Sequence, residues 1–420
     1  ASAAAAARAK PPGAAGRAPR PGSNLAFGGK EGYEDWANRA AWQVPLALVP
    51  FTPMLACEPG MSVLMRRFDW KLVPQHSWRM PKSRPNHSLA ACRPLDEALW
   101  AERGAAADPR TVWAAPSAVG RLLDAAEGLD AGRTDRAVVF FGTEMPVSRA
   151  FGKDAAERNA TLAKLRRHFG TILYQVKDIE MEHVRVAPMG LCWGYMLILI
   201  GDWVRAAMEH ALHPGYRRDL AERFAGLDAM WRAGVAHKRR NILAPRGLVA
   251  RWLEDRQALK ARLADLSSRG KLWPPGDSSL LAVERAMESR GRMRAWAGSP
   301  AGRLAGAELR RVNLTDWWPE LRTYRFLLSP IGSAVQTSKT IEALLVLTVP
   351  IVQRAGFPTH DELVAMGFPL VVVESWYEVT ANSTELWWQT LAPRLESFRR
   401  NCLSIEGYWR ILTGAVARCT

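Results

Sequence analysis

A chain of 420 residues, 48% of them hydrophobic, has enough apolar material for two ordinary domains with separate cores, which excludes a disordered protein. Its net charge of +16 raises nucleic acid or an anionic membrane surface as partners. The basic residues, however, are scattered pairs and the single triplet Lys238-Arg239-Arg240, so they read as solvated surface and nucleic acid is not expected.

Residues 1–23 carry Ala, Pro, Gly and Arg with almost no large apolar side chains and are expected to form a disordered tail or stem. From Asn24 to about Arg110 the segments are short and rich in Pro and Trp, and the pattern predicts no regular element. Val119 to Leu129 then reads as a helix and Arg136 to Gly142 as a buried strand. Asp154 to Phe169 is an amphipathic helix with an acidic start and a basic finish, followed by strands at Thr171 to Val176 and from Val184 toward Leu191. Helical patterns occupy Trp203 to His213 and Asp219 to Gly234.

The pattern breaks at Val235 to Asn241, which sets the expected boundary between an N-terminal α/β domain (24–236) and a C-terminal one (237–420). The second series is a strand at Asn241 to Pro245, a long helix at Gly247 to Gly270, a helix at Ser279 to Ala297 and a short helix within Thr315 to Tyr324. After these come a strand at Arg325 to Pro330, a helix at Thr337 to Leu347, strands at Val349 to Val352 and Pro369 to Ser375 around a helical turn at His360 to Gly367, and a helical tail from Ser383. Strands alternating with helices predict parallel sheets covered on both faces, so the expected fold class is α/β, two domains facing a cleft.

No apolar stretch reaches the roughly 18 to 20 residues of a membrane span; the longest is Met189 to Gly201 together with the run around Ile341 to Val352. Membrane attachment is therefore expected only through an N-terminal anchor that was removed or lies upstream. The five cysteines are far apart and form no CxxC pair, which argues against a zinc ribbon, and an odd count leaves at least one thiol free. Asn-x-Ser/Thr acceptors occur at Asn86, Asn159, Asn313 and Asn382. Chance would give about one, so the lumen of the Golgi or endoplasmic reticulum is the expected location.

In an α/β sheet, ligands sit at the carboxyl ends of strands, beside the N-termini of the following helices, where free N–H groups favour phosphate. The strand ending at Ser329-Pro330 runs into Gly332, Ser333 and Ala334, small enough for a ligand to approach the backbone. Thr337 or Ser338 can cap the next helix, Lys339 in its first turn can face a diphosphate, and Glu342 can accept from ribose hydroxyls. The plain alternatives are a cap, a surface cation and a carboxylate favoured by the helix dipole. Asp178, Glu180 and Glu182 beside His183 form the nearest acidic cluster; there is no Asp-x-Asp motif and no metal site is expected. Of the 18 Trp, most are expected in the core rather than stacked on sugars.

The run from Asp316 to Val352, with Phe368 to Thr380, resembles the exostosin-like glycosyltransferases, in a branch common in algae and other eukaryotes. Tyr324, Arg325, Phe326, Leu328, Ser329, Pro330 and Gly332 match that pattern without a gap, as do Thr340, Glu342 to Leu345, Pro350 to Val352 and Trp376 to Thr380 where Tyr377 is excepted. The likeness covers about 70 residues strongly and extends more weakly upstream to Ala137. It implies a GT-B fold of two Rossmann-like domains and a sugar transferred, without metal or cofactor, from a nucleotide diphosphate donor to a glycan or glycoprotein acceptor. Arg325, Ser329, Gly332, Ser333, Thr337, Ser338, Lys339 and Glu342 would then bind the donor. His183 and Glu144, near ends of first-domain strands, are the candidate catalytic bases.

Where the family has Asn, a second Gly, Asp, His, Arg and a helix-ending Gly, this chain has Ser333, Ala334, Gln336, Ser338, Lys339 and Leu347. Lys339 can neutralise a phosphate without the forked contact of Arg. A catalytically inactive sugar- or nucleotide-binding relative is therefore the alternative, and a basic polyanion-binding protein a third reading.

Overall fold

The structure, a computed structural model, describes residues 51–52, 64, 67–72, 108–141, 145–192, 238–246, 277–312, 316–332 and 335–420. The N-terminal tail and the helical patterns expected at 203–234 and 247–270 lie outside the described residues.

The first sheet is parallel throughout and contains β2 (Trp70–Leu72), β3 (Thr111–Ala114), β4 (Ala137–Phe140), β5 (Thr171–Tyr174) and β6 (Val184–Val186) in that spatial order. β4 is buried along its whole length, as its unbroken apolar run requires of a strand covered on both faces. α1 (Val119–Ala126) joins β3 to β4, and α2 (Val147–Ala150) and α3 (Ala155–Arg166) join β4 to β5. Asp154 caps α3 by accepting from the Glu157 N–H at 2.9 Å, which fixes where that helix starts. A separate parallel pair joins β1 (Phe51–Thr52) to β7 (Leu191–Cys192).

The second sheet is also five-stranded and parallel. Its strands are β8 (Arg240–Pro245), β9 (Ala307–Arg310), β10 (Tyr324–Ser329), β11 (Val349–Gln353) and β12 (Val371–Val373), in the spatial order β12-β11-β10-β8-β9. The chain thus winds outward from β8 to β9, returns to β10 on the other side of β8, and continues to β12. Parallel neighbours need crossover connections, which helices supply. They are α4 (Asp277–Gly298) and α5 (Pro300–Leu304) before β9, α6 (Trp317–Leu321) before β10, α7 (Ser338–Leu345) before β11 and α8 (Thr359–Ala365) before β12. α9 (Ala381–Cys402) and α10 (Ile405–Leu412) follow the last strand.

α7 ends in a motif that normally demands Gly. The Thr348 N–H donates to Ala343 O at 2.8 Å and the Leu347 N–H to Leu344 O at 3.1 Å, with Leu347 left-handed at φ 59°. Leu347 is nonetheless buried, so its packing offsets the steric cost of that conformation.

The two sheets share one continuous apolar core, and the C-terminal segment crosses back onto the first of them. Tyr408 of α10 donates to Met189 O at 3.0 Å, and Trp409 meets Phe68 edge-on at 5.0 Å. Gly414 lies so close to β5 that a Cβ there would stand 2.6 Å from Thr171 Oγ1. A disulfide, Cys402–Cys419, pins the end of this segment; sequence spacing had given no sign of it.

Candidate functional site

In the second sheet the strand order reverses between β8 and β10, and the carboxyl ends flanking such a reversal form the crevice where α/β sheets bind ligands. Pro330 to Gly332 leave β10 at that point, and Val335 to Thr337 lead into α7. Ser329 is buried, its hydroxyl 3.0 Å from Thr337 Oγ1 and 3.2 Å from Thr340 Oγ1. Thr337 holds the N-cap position of α7 by its backbone, but its hydroxyl faces Ser329 instead of capping the helix. Gly332 is buried and Ser338 is the first helical residue, half-buried. Ser333 and Glu144 lie outside the described residues.

Lys339 and Glu342 are both engaged by one side chain that sequence reasoning had assigned to packing. Trp317, on α6, presents its ring face to the Lys339 ammonium at 3.8 Å and donates its Nε1–H to Glu342 Oε2 at 2.5 Å. Glu342 is 3% exposed, so the carboxylate expected to meet a ribose is buried in this conformation. Desolvation lowers the Lys339 pKa, Glu342 opposes that and Arg290 adds to it. Arg290 also reaches the segment, donating from Nε to Ile331 O at 2.9 Å.

Gln336 does something different from its neighbours: it spans to the other sheet. Its Oε1 accepts from Met189 N–H at 2.8 Å, and its Nε2 donates to Gln175 O at 2.6 Å and Ala187 O at 2.9 Å. Those three partners follow the carboxyl ends of β5 and β6, so the carboxyl edges of the two sheets face one another. Glu362 of α8 reinforces the junction by pairing with Lys177 and accepting from Val186 N–H at 2.8 Å. The cleft expected between the domains is, at this point, bridged by side chains.

Two predicted residues stand elsewhere. Arg325 is the second residue of β10 and pairs with Glu385 at 2.9 Å, its guanidinium 5.5 Å from the Trp388 ring. It stands four residue steps before Ser329, about 13 Å along the strand, and its side chain turns to α9. His183 precedes the first residue of β6, at the amino edge of the first sheet, so it lies away from the Gln336 junction. It is left-handed at φ 63°, about two-fifths exposed, and 3.0 Å from Glu182. Its nearness in sequence to Ala187 was misleading because a strand three residues long carries the chain from one edge to the other.

Asp178, of the acidic cluster beside His183, accepts from the Ser148 N–H at 3.0 Å and from its hydroxyl at 2.6 Å, and burial raises its pKa. Among the described residues no three His, Cys, Asp or Glu side chains converge as metal ligands. No family model and no curated protein matches the chain.

Proposed function

We propose that the chain is a GT-B-type glycosyltransferase that moves a sugar from a nucleotide diphosphate donor to a glycan or glycoprotein acceptor. The observation that carries this reading is the segment 330–337 at the strand-order reversal, facing the carboxyl edge of a second parallel sheet. Lys339 and the N-terminus of α7 would stabilise the departing diphosphate as the acceptor oxygen bonds to the sugar carbon and its proton passes to a base. The left-handed Leu347 supports the resemblance independently of side-chain identity, since the backbone there has the conformation for which the family uses Gly.

The proposed compartment is the secretory lumen. Cys402–Cys419 is a bond that oxidising compartments preserve, and the acceptor residues Asn159 and Asn382 are exposed. No helix among the described residues is long and apolar enough to cross a membrane.

Calorimetric titration with UDP, GDP and their sugar conjugates, beside Lys339→Ala, tests the reading. One nucleotide should bind saturably and the variant should lose it. Absence of binding at millimolar nucleotide would remove the glycosyltransferase mechanism and leave the fold.

A specific observation favours a second reading, a non-catalytic nucleotide- or sugar-binding relative. Gln336 stands where the family has Asp and is fully committed to the domain junction, while Trp317 holds both Lys339 and Glu342. Retained donor binding with no hydrolysis or transfer across an acceptor panel would select it.

A further inference from the structure

The amino edge of the second sheet, opposite the 330–337 segment, contains a cavity of about 220 Å³. It lies between the start of β8, the turn into β9 and the first turn of α9. Its volume is below the roughly 300 Å³ at which pockets begin to enclose drug-sized ligands, so an occupant must be small.

Strand geometry decides which side chains face it. Tyr324 pairs with Arg240 and Phe326 with Ile242, so Arg325 and Asn241 are neighbours on the face covered by α9. Asn241 confirms that face by reaching Thr384 Oγ1 of α9 at 3.4 Å. Arg239, immediately before β8, also lines the cavity. Arg240 turns the other way and pairs with Glu308 and Glu320.

The charges on the cavity face do not cancel. Arg239 is exposed and makes no ion pair among the described residues. Arg325 has only Glu385, in a pair whose members are 36% and 53% exposed and which therefore contributes little. Lys238 behind the cavity is occupied by Arg322 O, Thr348 Oγ1 and Val346 O at 2.8, 3.0 and 3.2 Å, none of which carries a formal charge. Burial, with the Arg322 and Arg399 charges, disfavours its protonated form.

We propose that this cavity binds a phosphate or sulfate group, free or as a monoester, between the guanidinium groups of Arg239 and Arg325. Arginine suits the task because its planar donor fork matches the oxygen spacing of a tetrahedral anion. Glu385 is then the internal competitor: its carboxylate occupies the Arg325 donors until an anion displaces it. The proposal does not depend on the donor reading, since the two regions lie at opposite edges of one sheet.

Titration of the full chain by calorimetry at low ionic strength with inorganic phosphate, sulfate and phenyl phosphate provides the test. One-site saturable binding is expected, weakened by about tenfold or more in Arg239→Ala and strengthened in Glu385→Gln. Lys339→Ala should leave unchanged the binding that Arg239→Ala weakens. Tighter binding of phenyl phosphate than of inorganic phosphate would identify a monoester as the occupant, and the reverse a free anion. Equal titration of the wild type and Arg239→Ala, weakening in Glu385→Gln, or loss in Lys339→Ala would each overturn the proposal. The gain expected of Glu385→Gln is a readout that a merely unfolded variant cannot mimic.

Discussion

The ammonium of Lys339 rests 3.8 Å from the centre of the Trp317 ring, and the same indole donates to Glu342 one turn further along α7. A cation on the ring face and a carboxylate on the ring edge match the indole's own charge distribution. Trp317→Phe keeps a ring face for Lys339 and deletes the donor to a buried carboxylate. The variant should lose about 1–3 kcal/mol of stability, read as a lower urea midpoint at unchanged m-value.

Gln336, which follows β10 of the second sheet, satisfies two carbonyls and one N–H beyond the carboxyl ends of β5 and β6 in the first. Gln336→Ala leaves all three buried groups without that partner and should cost on the order of 2–4 kcal/mol. Native-state hydrogen exchange should report faster exchange at Met189, whose N–H loses its acceptor. Unchanged protection at Met189 would mean that water replaces the amide without loss.

The alternation of strands and helices was legible because β4 is an unbroken apolar run and β10 and β11 carry apolar runs at Phe326 to Leu328 and Val349 to Val352, as strands of a doubly covered sheet do. β9 was not, since Ala307–Arg310 is only four residues long, two of them charged, and lies at the sheet edge. β2 and β3 were hidden among Pro and Trp, where local propensity is weak and neighbouring strands decide the outcome. Within the candidate site, chain proximity grouped Ser329 with Thr337, whose hydroxyls lie 3.0 Å apart. It could not reveal that Arg325 faces α9, that Gln336 crosses to the other sheet, or that Trp317 holds Lys339, because each depends on a partner distant in sequence or on strand register.

Two buried bases each make stability rise with pH, in different windows. Burial, with the Arg322 and Arg399 charges, lowers the Lys238 pKa to about 7 from 10.5. The unfolded chain therefore holds the extra proton between those values, and stability rises with pH across that window, by at most about 1.4 kcal/mol per unit. Burial lowers His360 to about 4 from 6.5, against the opposing Gln353 O and Asp361. The unfolded state is again the more protonated, so this contribution is lost as pH falls from 6.5 to 4. Urea midpoints should show both slopes, with Lys238→Met flattening the alkaline one and His360→Gln the acidic one.

The Cys402–Cys419 bond closes a loop of sequence separation 17 that contains α10, the helix anchoring the tail to the first sheet through Tyr408. Both cysteines are buried, and Cys419 N–H donates to Met366 O at 2.8 Å, so the tail end is fixed by hydrogen bonding as well as by sulfur. In the chain-entropy description a loop of this length confers about 3 kcal/mol by restricting the unfolded state. Cys402→Ser should therefore lower the urea midpoint by a comparable free energy and expose the free Cys419 thiol to alkylation under mild denaturant. The wild type should resist alkylation at both positions until reductant is added. If the wild-type pair alkylates without reductant, the two thiols are reduced in the folded protein, and the argument for an oxidising compartment loses its covalent support.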